Sequence, residues 1–119
     1  MRVLICGDRN WTNREAIRQR IEYLLRDYGS RTVIMHGGAR GADSIAGEEA
    51  KEFGLTVLAF SADWRRYGRA AGPIRNLQML EEGKPDLVIA FHADLDHSKG
   101  TKDMVEQARK AGIKVEVQA

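Results

Sequence analysis

The sequence predicts one α/β domain of the Rossmann-like, three-layer type, with helices on both faces of a five-stranded parallel sheet. Five short apolar runs alternate with about four stretches of helical periodicity, and glycine or proline marks most boundaries. Right-handed crossovers and a chain reversal beside the first strand predict the strand order 3-2-1-4-5. We assign residues 1–119 to this single domain.

The predicted strands are apolar almost throughout. They lie at residues 2–6, 32–36, 55–60, 86–91 and 113–117. An apolar run without polar alternation is typical of a parallel strand that is covered on both faces. This pattern therefore favours a central sheet with helices above and below it.

The predicted helices begin at capping residues and end at glycines. The first follows Thr12 or Asn13, the second is capped by Asp43, and the fourth is capped by Thr101. The third begins at Pro73, after a long polar connection at residues 61–72. Its apolar stripe, which we expect to face the core, consists of Ile74, Leu77 and Leu80.

The composition is that of a soluble globular protein, with 43% hydrophobic and 30% charged residues. No apolar run reaches the length of a membrane span, and the N-terminus does not have the layout of a signal peptide. The single cysteine, Cys6, rules out an intrachain disulfide and indicates a reducing compartment, so we expect a cytoplasmic protein. A net charge of +2 does not by itself indicate nucleic acid as a partner.

The segment after the second strand has the composition of an anion-binding loop. Gly37, Gly38 and Gly41 allow a tight turn, and Arg40 adds a fixed positive charge. Such a turn in front of a helix directs free N–H groups and the helix N-terminus towards one point, which favours a phosphate group. The alternative is a turn that only links strand to helix.

Other polar loops are predicted to open on the same edge, because parallel strands end on one side of the sheet. The candidate residues in these loops are Gly7, Asp8, Arg9 and Trp11 after the first strand, Trp64, Arg75 and Asn76 after the third, and Gly100 and Thr101 after the fourth. Arginines with helix N-termini favour phosphate, and the tryptophans offer a surface for a base. The sequence therefore predicts a site for a nucleotide or a nucleotide derivative.

Some site types are disfavoured. The first strand is not followed by GxGxxG, and the chain has no GxxxxGK[ST] motif, so an ordinary dinucleotide fingerprint and a P-loop are both absent. His36 is expected to be structural, and Asp94, Asp96 and His97 are expected to form a solvated loop. We predict no metal and no resident cofactor.

Three motifs resemble a known family. HGGARGADSIA, GRAAGPIRNLQM and PDLVIAF with a later GT resemble the SLOG superfamily, in particular its small YspA-like members of uncharacterised function. The resemblance covers nearly the whole chain. It implies a nucleotide-derived ligand at the glycine-rich rim. The superfamily includes the LOG phosphoribohydrolases and the DNA-processing proteins that hold single-stranded DNA.

The LOG branch also implies an arginine pattern that Arg75, Asn76 and Met79 match, and a phosphate loop of which Gly100 and Thr101 match the GT. The preceding glycines are missing, and Met104 stands where that branch has a glutamate. Loss of this carboxylate argues against LOG-type hydrolysis. Three other carboxylates remain as possible substitutes: Asp8, Asp43 and Asp103.

The leading hypothesis is therefore a sensor or processing module that binds a nucleotide or nucleotide derivative. In it the glycine loop with Arg40, Gly100 and Thr101 holds phosphate, Arg75 neutralises it, Asn76 or Asp43 contacts ribose, and Trp11 or Trp64 stacks on the base. The second hypothesis is a nucleotide N-glycosidase with Arg75 and Asp43 as catalytic candidates. The third is single-stranded nucleic-acid binding, and a homo-oligomer is a further expectation.

Overall fold

The sheet has the predicted architecture. The computed structural model describes residues 1–119 and contains one five-stranded parallel sheet in the order β3-β2-β1-β4-β5. The strands are β1 (Arg2–Gly7), β2 (Val33–His36), β3 (Thr56–Ala59), β4 (Leu87–Phe91) and β5 (Lys114–Gln118). The predicted fold class and strand order are both confirmed.

Helices cover both faces of the sheet. They are α1 (Arg14–Tyr28), α2 (Ala42–Glu52), α3 (Trp64–Tyr67), α4 (Ala71–Gln78) and α5 (Gly100–Lys110). The pair α1 and α2 packs together on one face, and the pair α4 and α5 packs together on the other. None of these helices combines the length and the apolar character that a membrane crossing requires.

The two central strands explain why the predicted strands are apolar throughout. In β1, Val3 and Ile5 belong to the core on the α1–α2 face, whereas Leu4 and Cys6 belong to the core on the α4–α5 face. Successive side chains of a strand point to opposite faces, so both sets must be apolar. All five residues of β4 are buried for the same reason.

The segment before β4 differs from the prediction. Residues 61–72 are not an open connection: they contain α3, a 3-10 turn at Gly68–Ala70, and the first two residues of α4. Ile74 and Leu77 are 40% and 47% exposed, so the expectation that they face the core is wrong. The buried face of α4 instead passes through the polar Asn76 and continues to Met79 and Leu80 in a π-helical segment at Met79–Gly83.

Two of the predicted helix caps are also wrong. Asn13 caps α1, since its Oδ1 accepts a hydrogen bond from the Ala16 N–H at 3.2 Å. The N-cap positions of α2 and α5 are Gly41 and Lys99, and neither makes a side-chain capping bond. Asp43 and Thr101 lie inside the first turns: the Asp43 side chain accepts from the loop in front of α2, and the Thr101 backbone N–H donates to Ser98 Oγ in the loop in front of α5.

Candidate functional site

A cleft of about 820 Å³ lies at the carboxyl edge of the sheet. The loops that follow β1, β2 and β4 form its walls together with the first turns of α4 and α5. These loops converge because parallel strands end on the same edge. The predicted site residues that line the cleft are Gly7, Asp8, Arg9, Arg40, Asp43, Trp64, Arg75, Asn76, Gly100 and Thr101.

A second cavity of about 420 Å³ adjoins the cleft and shares part of its wall. Its lining includes the side chains of Arg9, Arg40 and Arg75, the backbone of Gly37 and Gly38, and no carboxylate. We call it the arginine compartment. We call the remainder of the cleft, which extends to the start of α5, the α5 compartment.

Two predicted residues lie outside both cavities. Trp11 packs edge-on against Phe91, with ring centroids 5.5 Å apart, and its Nε1 donates to the Asn13 carbonyl at 2.9 Å. Its expected role in stacking on a base is therefore corrected to a structural one. Gly41 is pressed against the loop after β1, where an added Cβ would lie 2.4 Å from the Asp8 carbonyl oxygen. A glycine is required at position 41 because any side chain would prevent this close backbone approach.

The glycine loop is held by its own protein partners. Asp43 Oδ2 accepts the N–H groups of Gly37 at 2.9 Å and Ala39 at 3.3 Å. The Gly38 N–H donates to Nδ1 of His36 at 3.0 Å. The sequence-based expectation of a loop with several free N–H groups is therefore corrected, because these donors are already occupied. In this loop the N–H groups of Arg40 and Gly41 have no protein acceptor.

Asp43 is a buried carboxyl group in the wall of the cleft, with 5% of its surface exposed. Burial raises its pKa to about 6, although the hydrogen bonds from Ala39 and Gly37 and the charges of Arg75 and Arg9 act in the opposite direction. Burial also raises the pKa of the nearby Cys6 thiol, which makes Cys6 a poor nucleophile.

Arg75 crosses from α4 to the glycine loop. Its Nη1 donates to the Gly37 carbonyl, and its guanidinium lies where a Cβ on Gly37 would stand. Burial lowers the pKa of Arg75, and the charge of Arg9 lowers it further, while Asp43 partly compensates. A half-buried arginine beside a second arginine is an electrostatically favourable site for an anion.

Asn76 joins α4 to the start of α5. It is 3% exposed, and its Oδ1 accepts from Arg75 Nε at 3.0 Å. Its Nδ2 donates to the Gly100 carbonyl at 3.3 Å and to Asp103 Oδ2 at 2.9 Å. Both amide hydrogens are thus engaged within the protein, so Asn76 could meet a ribose hydroxyl only through Oδ1, which already accepts from Arg75.

The three substitute carboxylates are separated by the structure. Asp8 and Asp43 line the cleft, whereas Asp103 lies outside the lining and accepts hydrogen bonds from Asn76 and Gln107. Met104, which the resemblance aligns with the glutamate of the LOG branch, lines the cleft.

The start of α5 has unused donors. The N–H groups of Gly100 and Lys102 have no protein acceptor, while the Thr101 N–H is taken by Ser98 Oγ at 3.1 Å. The Thr101 side chain lines the cleft with 7% of its surface exposed, and its hydroxyl makes no hydrogen bond to the protein.

The cations of the cleft form no ion pairs, although the carboxylates of Asp8 and Asp43 line the same cleft. Its lining contains Arg9, Arg40, Arg69, Arg75 and Lys99, and every ion pair of the molecule involves other basic residues. Arg69 and Lys99 were not among our predicted site residues. In the sequence they differ from other residues only by lying in the polar loops after β3 and β4. Exposed residues such as Arg65 share this property, so it could not single them out.

Comparison with known proteins identifies the family. The model of the YspA, cpYpsA-related SLOG family (YAcAr) matches residues 1–67. The gene 61 protein of Mycobacterium phage D29 is 39% identical over 119 residues, which cover 96% of this chain and 93% of that protein. The chain belongs to the YspA, cpYpsA-related SLOG family.

The fold of this SLOG chain is also found in a solved structure. DNA processing protein A (DprA) from Streptococcus pneumoniae superposes with a TM-score of 0.71 at 19% identity. The match covers 98% of the SLOG chain but 49% of the DprA chain, so this chain spans about half the length of that protein. At this identity the likeness concerns the fold.

The family match and the cleft overlap only in part. The matched segment of the SLOG chain contains the glycine loop, Arg9 and Arg40, whereas Arg75 and Thr101 lie beyond it. The assignment of these two residues to the site therefore depends on the geometry of the cleft.

Proposed function

We propose that this chain is a cytoplasmic module that binds a nucleotide or a nucleotide-derived small molecule in the cleft, as a sensor or processing module. The observation that carries the proposal is the set of five cations around one cleft, none of them in an ion pair: Arg9, Arg40, Arg69, Arg75 and Lys99. Their mutual repulsion would be relieved by an anionic ligand. The free, buried Cys6 thiol fits a reducing compartment.

In this proposal the arginine compartment holds a phosphate group. Arg9 and Arg40 would reach it from exposed positions, and Arg75 from a half-buried one. The Arg40 N–H is a further free donor. Trp64 is 51% exposed beside the compartment, with the Arg9 guanidinium 5.9 Å from its ring centroid, and it offers a face for the base.

A binding assay with one matched control tests this proposal. Adenine and guanine nucleoside monophosphates, ADP-ribose and NAD would be titrated calorimetrically into wild type, Arg40→Ala and Arg109→Ala. Arg40 lines the cleft, and Arg109 is an exposed arginine near the far end of α5. We expect at least one ligand to bind and Arg40→Ala to weaken it about tenfold, with Arg109→Ala unchanged. Equal losses in both variants, or no binding of any phosphorylated compound, would refute the proposal.

A second candidate is N-glycosidic hydrolysis of a nucleotide. It is favoured by Asp43, whose carboxyl lines the cleft with a pKa raised by burial to about 6, a value suited to proton transfer. Met104 at the LOG glutamate position argues against it. The assay is the release of free base from nucleoside monophosphates by wild type and Asp43→Asn. Binding without any base release would exclude this candidate.

A third candidate is single-stranded nucleic acid. It is favoured by α3, whose aromatic residues Trp64 and Tyr67 are 51% and 39% exposed and flank two exposed arginines beside the cleft. This candidate predicts an affinity for oligonucleotides that rises with length and falls steeply with salt concentration. If a mononucleotide binds as tightly as an oligonucleotide, the small-molecule proposal is preferred.

A further inference from the structure

The segment at residues 61–67, which contains α3, forms one wall of the arginine compartment. Ser61 and Trp64 line the cavity from this side. The Arg9 guanidinium lies 5.9 Å from the centroid of the Trp64 ring. Ser61 Oγ lies 3.2 Å from the place where a Cβ on Gly38 would stand. A displacement of this segment would therefore change both the size of the compartment and its access to solvent.

Few contacts hold this segment in place. None of its residues is buried, and none belongs to either hydrophobic core. No hydrogen bond or ion pair joins residues 61–67 to a residue outside the segment and the helical turn that follows it. Its side-chain hydrogen bond is internal, since Asp63 Oδ1 accepts the Arg66 N–H at 3.1 Å and caps α3. Segments with so few buried and external contacts are displaced at a low cost in free energy.

The segment lies between an anchored strand end and a glycine. Phe60 packs against the core on the α4–α5 face, and its N–H donates to the His36 carbonyl at 2.9 Å. On the other side, α3 ends at Gly68, which has a φ of 54° and nothing within 4 Å of an added Cβ. A glycine without close neighbours can change its backbone angles without displacing packed side chains, as a hinge requires.

The charges of the segment oppose its approach to the compartment. Arg65 and Arg66 are exposed and form no ion pair. The lining of the compartment has no carboxylate and carries three further arginines: Arg9, Arg40 and Arg75. An inward movement of the segment brings these like charges closer together, and an anion between them offsets the repulsion.

We propose that residues 61–67 form a lid that closes over the arginine compartment when the compartment holds an anion. The lid turns about Gly68 and about the peptide that follows Phe60. Closure covers the Trp64 ring, which is 51% exposed. This inference rests on the proposed function and adds a conformational step to it.

Acrylamide quenching of tryptophan fluorescence measures the closure. The chain has two tryptophans, so Trp64→Phe leaves Trp11 alone, and the difference between wild type and this variant isolates Trp64. The probe is inorganic pyrophosphate, because it carries no base that could stack on Trp64 and cover it without any movement of the lid. Calorimetry gives the saturating concentration of pyrophosphate.

We expect saturating pyrophosphate to lower the quenching constant of Trp64 at least about twofold and to leave that of Trp11 unchanged. Trp11 serves as the internal control because it packs against Phe91, away from the lid.

A pair of double variants tests the electrostatic part of the inference. Arg65→Gln with Arg66→Gln weakens the repulsion, so the quenching constant of Trp64 should fall without any pyrophosphate. Arg109→Gln with Lys110→Gln removes two exposed cations at the end of α5 and should leave it unchanged. Thermal unfolding verifies that each variant is folded.

Three results would overturn the inference. The first is binding of pyrophosphate with unchanged quenching of Trp64, and the second is no binding of pyrophosphate. The third is equal quenching of Trp64 in the two double variants, which would show that repulsion does not hold the lid open. The proposed function is judged separately, because the nucleotide titrations described above measure binding whether or not the lid moves.

Discussion

The loop after β2 and the loop after β4 occupy equivalent places in the fold, since each leads from a buried strand into a helix at the same edge of the sheet. The first is closed by the protein: Asp43 accepts two of its N–H groups and His36 accepts a third. The second is open, since the N–H groups of Gly100 and Lys102 are unused. The first loop keeps only the N–H groups of Arg40 and Gly41 free, so its three glycines do not give it more free donors than the second loop.

The two loops are joined by neighbouring residues of α4. Arg75 donates to the Gly37 carbonyl in the closed loop, Asn76 donates to the Gly100 carbonyl in the open loop, and the two side chains are hydrogen-bonded to each other. A displacement of either loop would be transmitted to the other through this pair. The comparison thus predicts a rigid closed loop that presents the Arg40 side chain and an open loop that presents backbone donors.

The largest expected effect concerns the glycines of the two loops. In Gly41→Ala the new Cβ would lie 2.4 Å from the Asp8 carbonyl oxygen, at a backbone φ of 76°. The combined overpacking and backbone strain should lower the free energy of unfolding by about 4 kcal/mol. In Gly100→Ala nothing lies within 4 Å of the new Cβ, so stability should stay the same or rise by up to about 1 kcal/mol.

Chemical denaturation of the two alanine variants measures this difference. A cost below about 1 kcal/mol for Gly41→Ala would contradict the close packing of the closed loop on the loop after β1.

The next effect is a pH dependence that belongs to the closed loop. Asp43 has a pKa raised to about 6 in the folded state, so between about pH 4 and pH 6 the folded protein binds more protons than the unfolded chain. Stability should therefore fall as the pH rises through this range, by up to about 3 kcal/mol, and then level off. Asp43→Asn retains an acceptor for the loop N–H groups and should not show this contribution.

Denaturation curves of wild type and Asp43→Asn from pH 4 to pH 8 give the measurement, and their difference removes the titration of other groups. A difference that stays constant over this range would show that Asp43 titrates normally.

A smaller effect is expected where the two loops are joined. Asn76→Ala removes the acceptor of Arg75 Nε and a donor to Asp103 and Gly100 within a buried site. It should lower stability by about 2 kcal/mol because buried polar partners lose their hydrogen bonds. Gln78→Ala on the exposed side of the same helix should change stability by less than about 0.5 kcal/mol. Equal effects in the two variants would mean that Asn76 does not join the loops.

The last prediction needs no substitution, because amide hydrogen exchange compares the two loops within the wild-type protein. The amides of Gly37 and Ala39 donate to Asp43 and should exchange slowly, whereas those of Gly100 and Lys102 should exchange quickly. Exchange resolved by NMR provides the rates. Fast exchange of Gly37 and Ala39 would mean that the closed loop is not closed in solution.

The sequence predicted the sheet well and the individual side-chain roles less well. The strands could be predicted because β1 and β4 are buried on both faces, and such strands appear in the sequence as local apolar runs. Their order followed from the rules for parallel sheets. The convergence of the loops followed from the parallel topology alone. Roles that depend on side-chain direction could not be read in this way.

Asp43 and the two tryptophans illustrate that limit. Local propensity places Asp43 at a helix cap, but tertiary packing turns its carboxylate back to Gly37 and Ala39. Trp11 and Trp64 both follow strands in polar loops, and only the contact with Phe91 makes Trp11 structural. The partner of Asn76, Asp103, lies 27 residues away and has no local sequence pattern that marks it.

The central claim, that unpaired cations on one cleft hold a phosphorylated ligand, is tested most directly by following backbone amide resonances during titration with a nucleoside monophosphate. The account predicts saturable shifts that include Arg40 and Gly41, beside the arginine compartment, and that weaken in Arg40→Ala. Shifts confined to surfaces away from the cleft, or none at millimolar ligand, would contradict it.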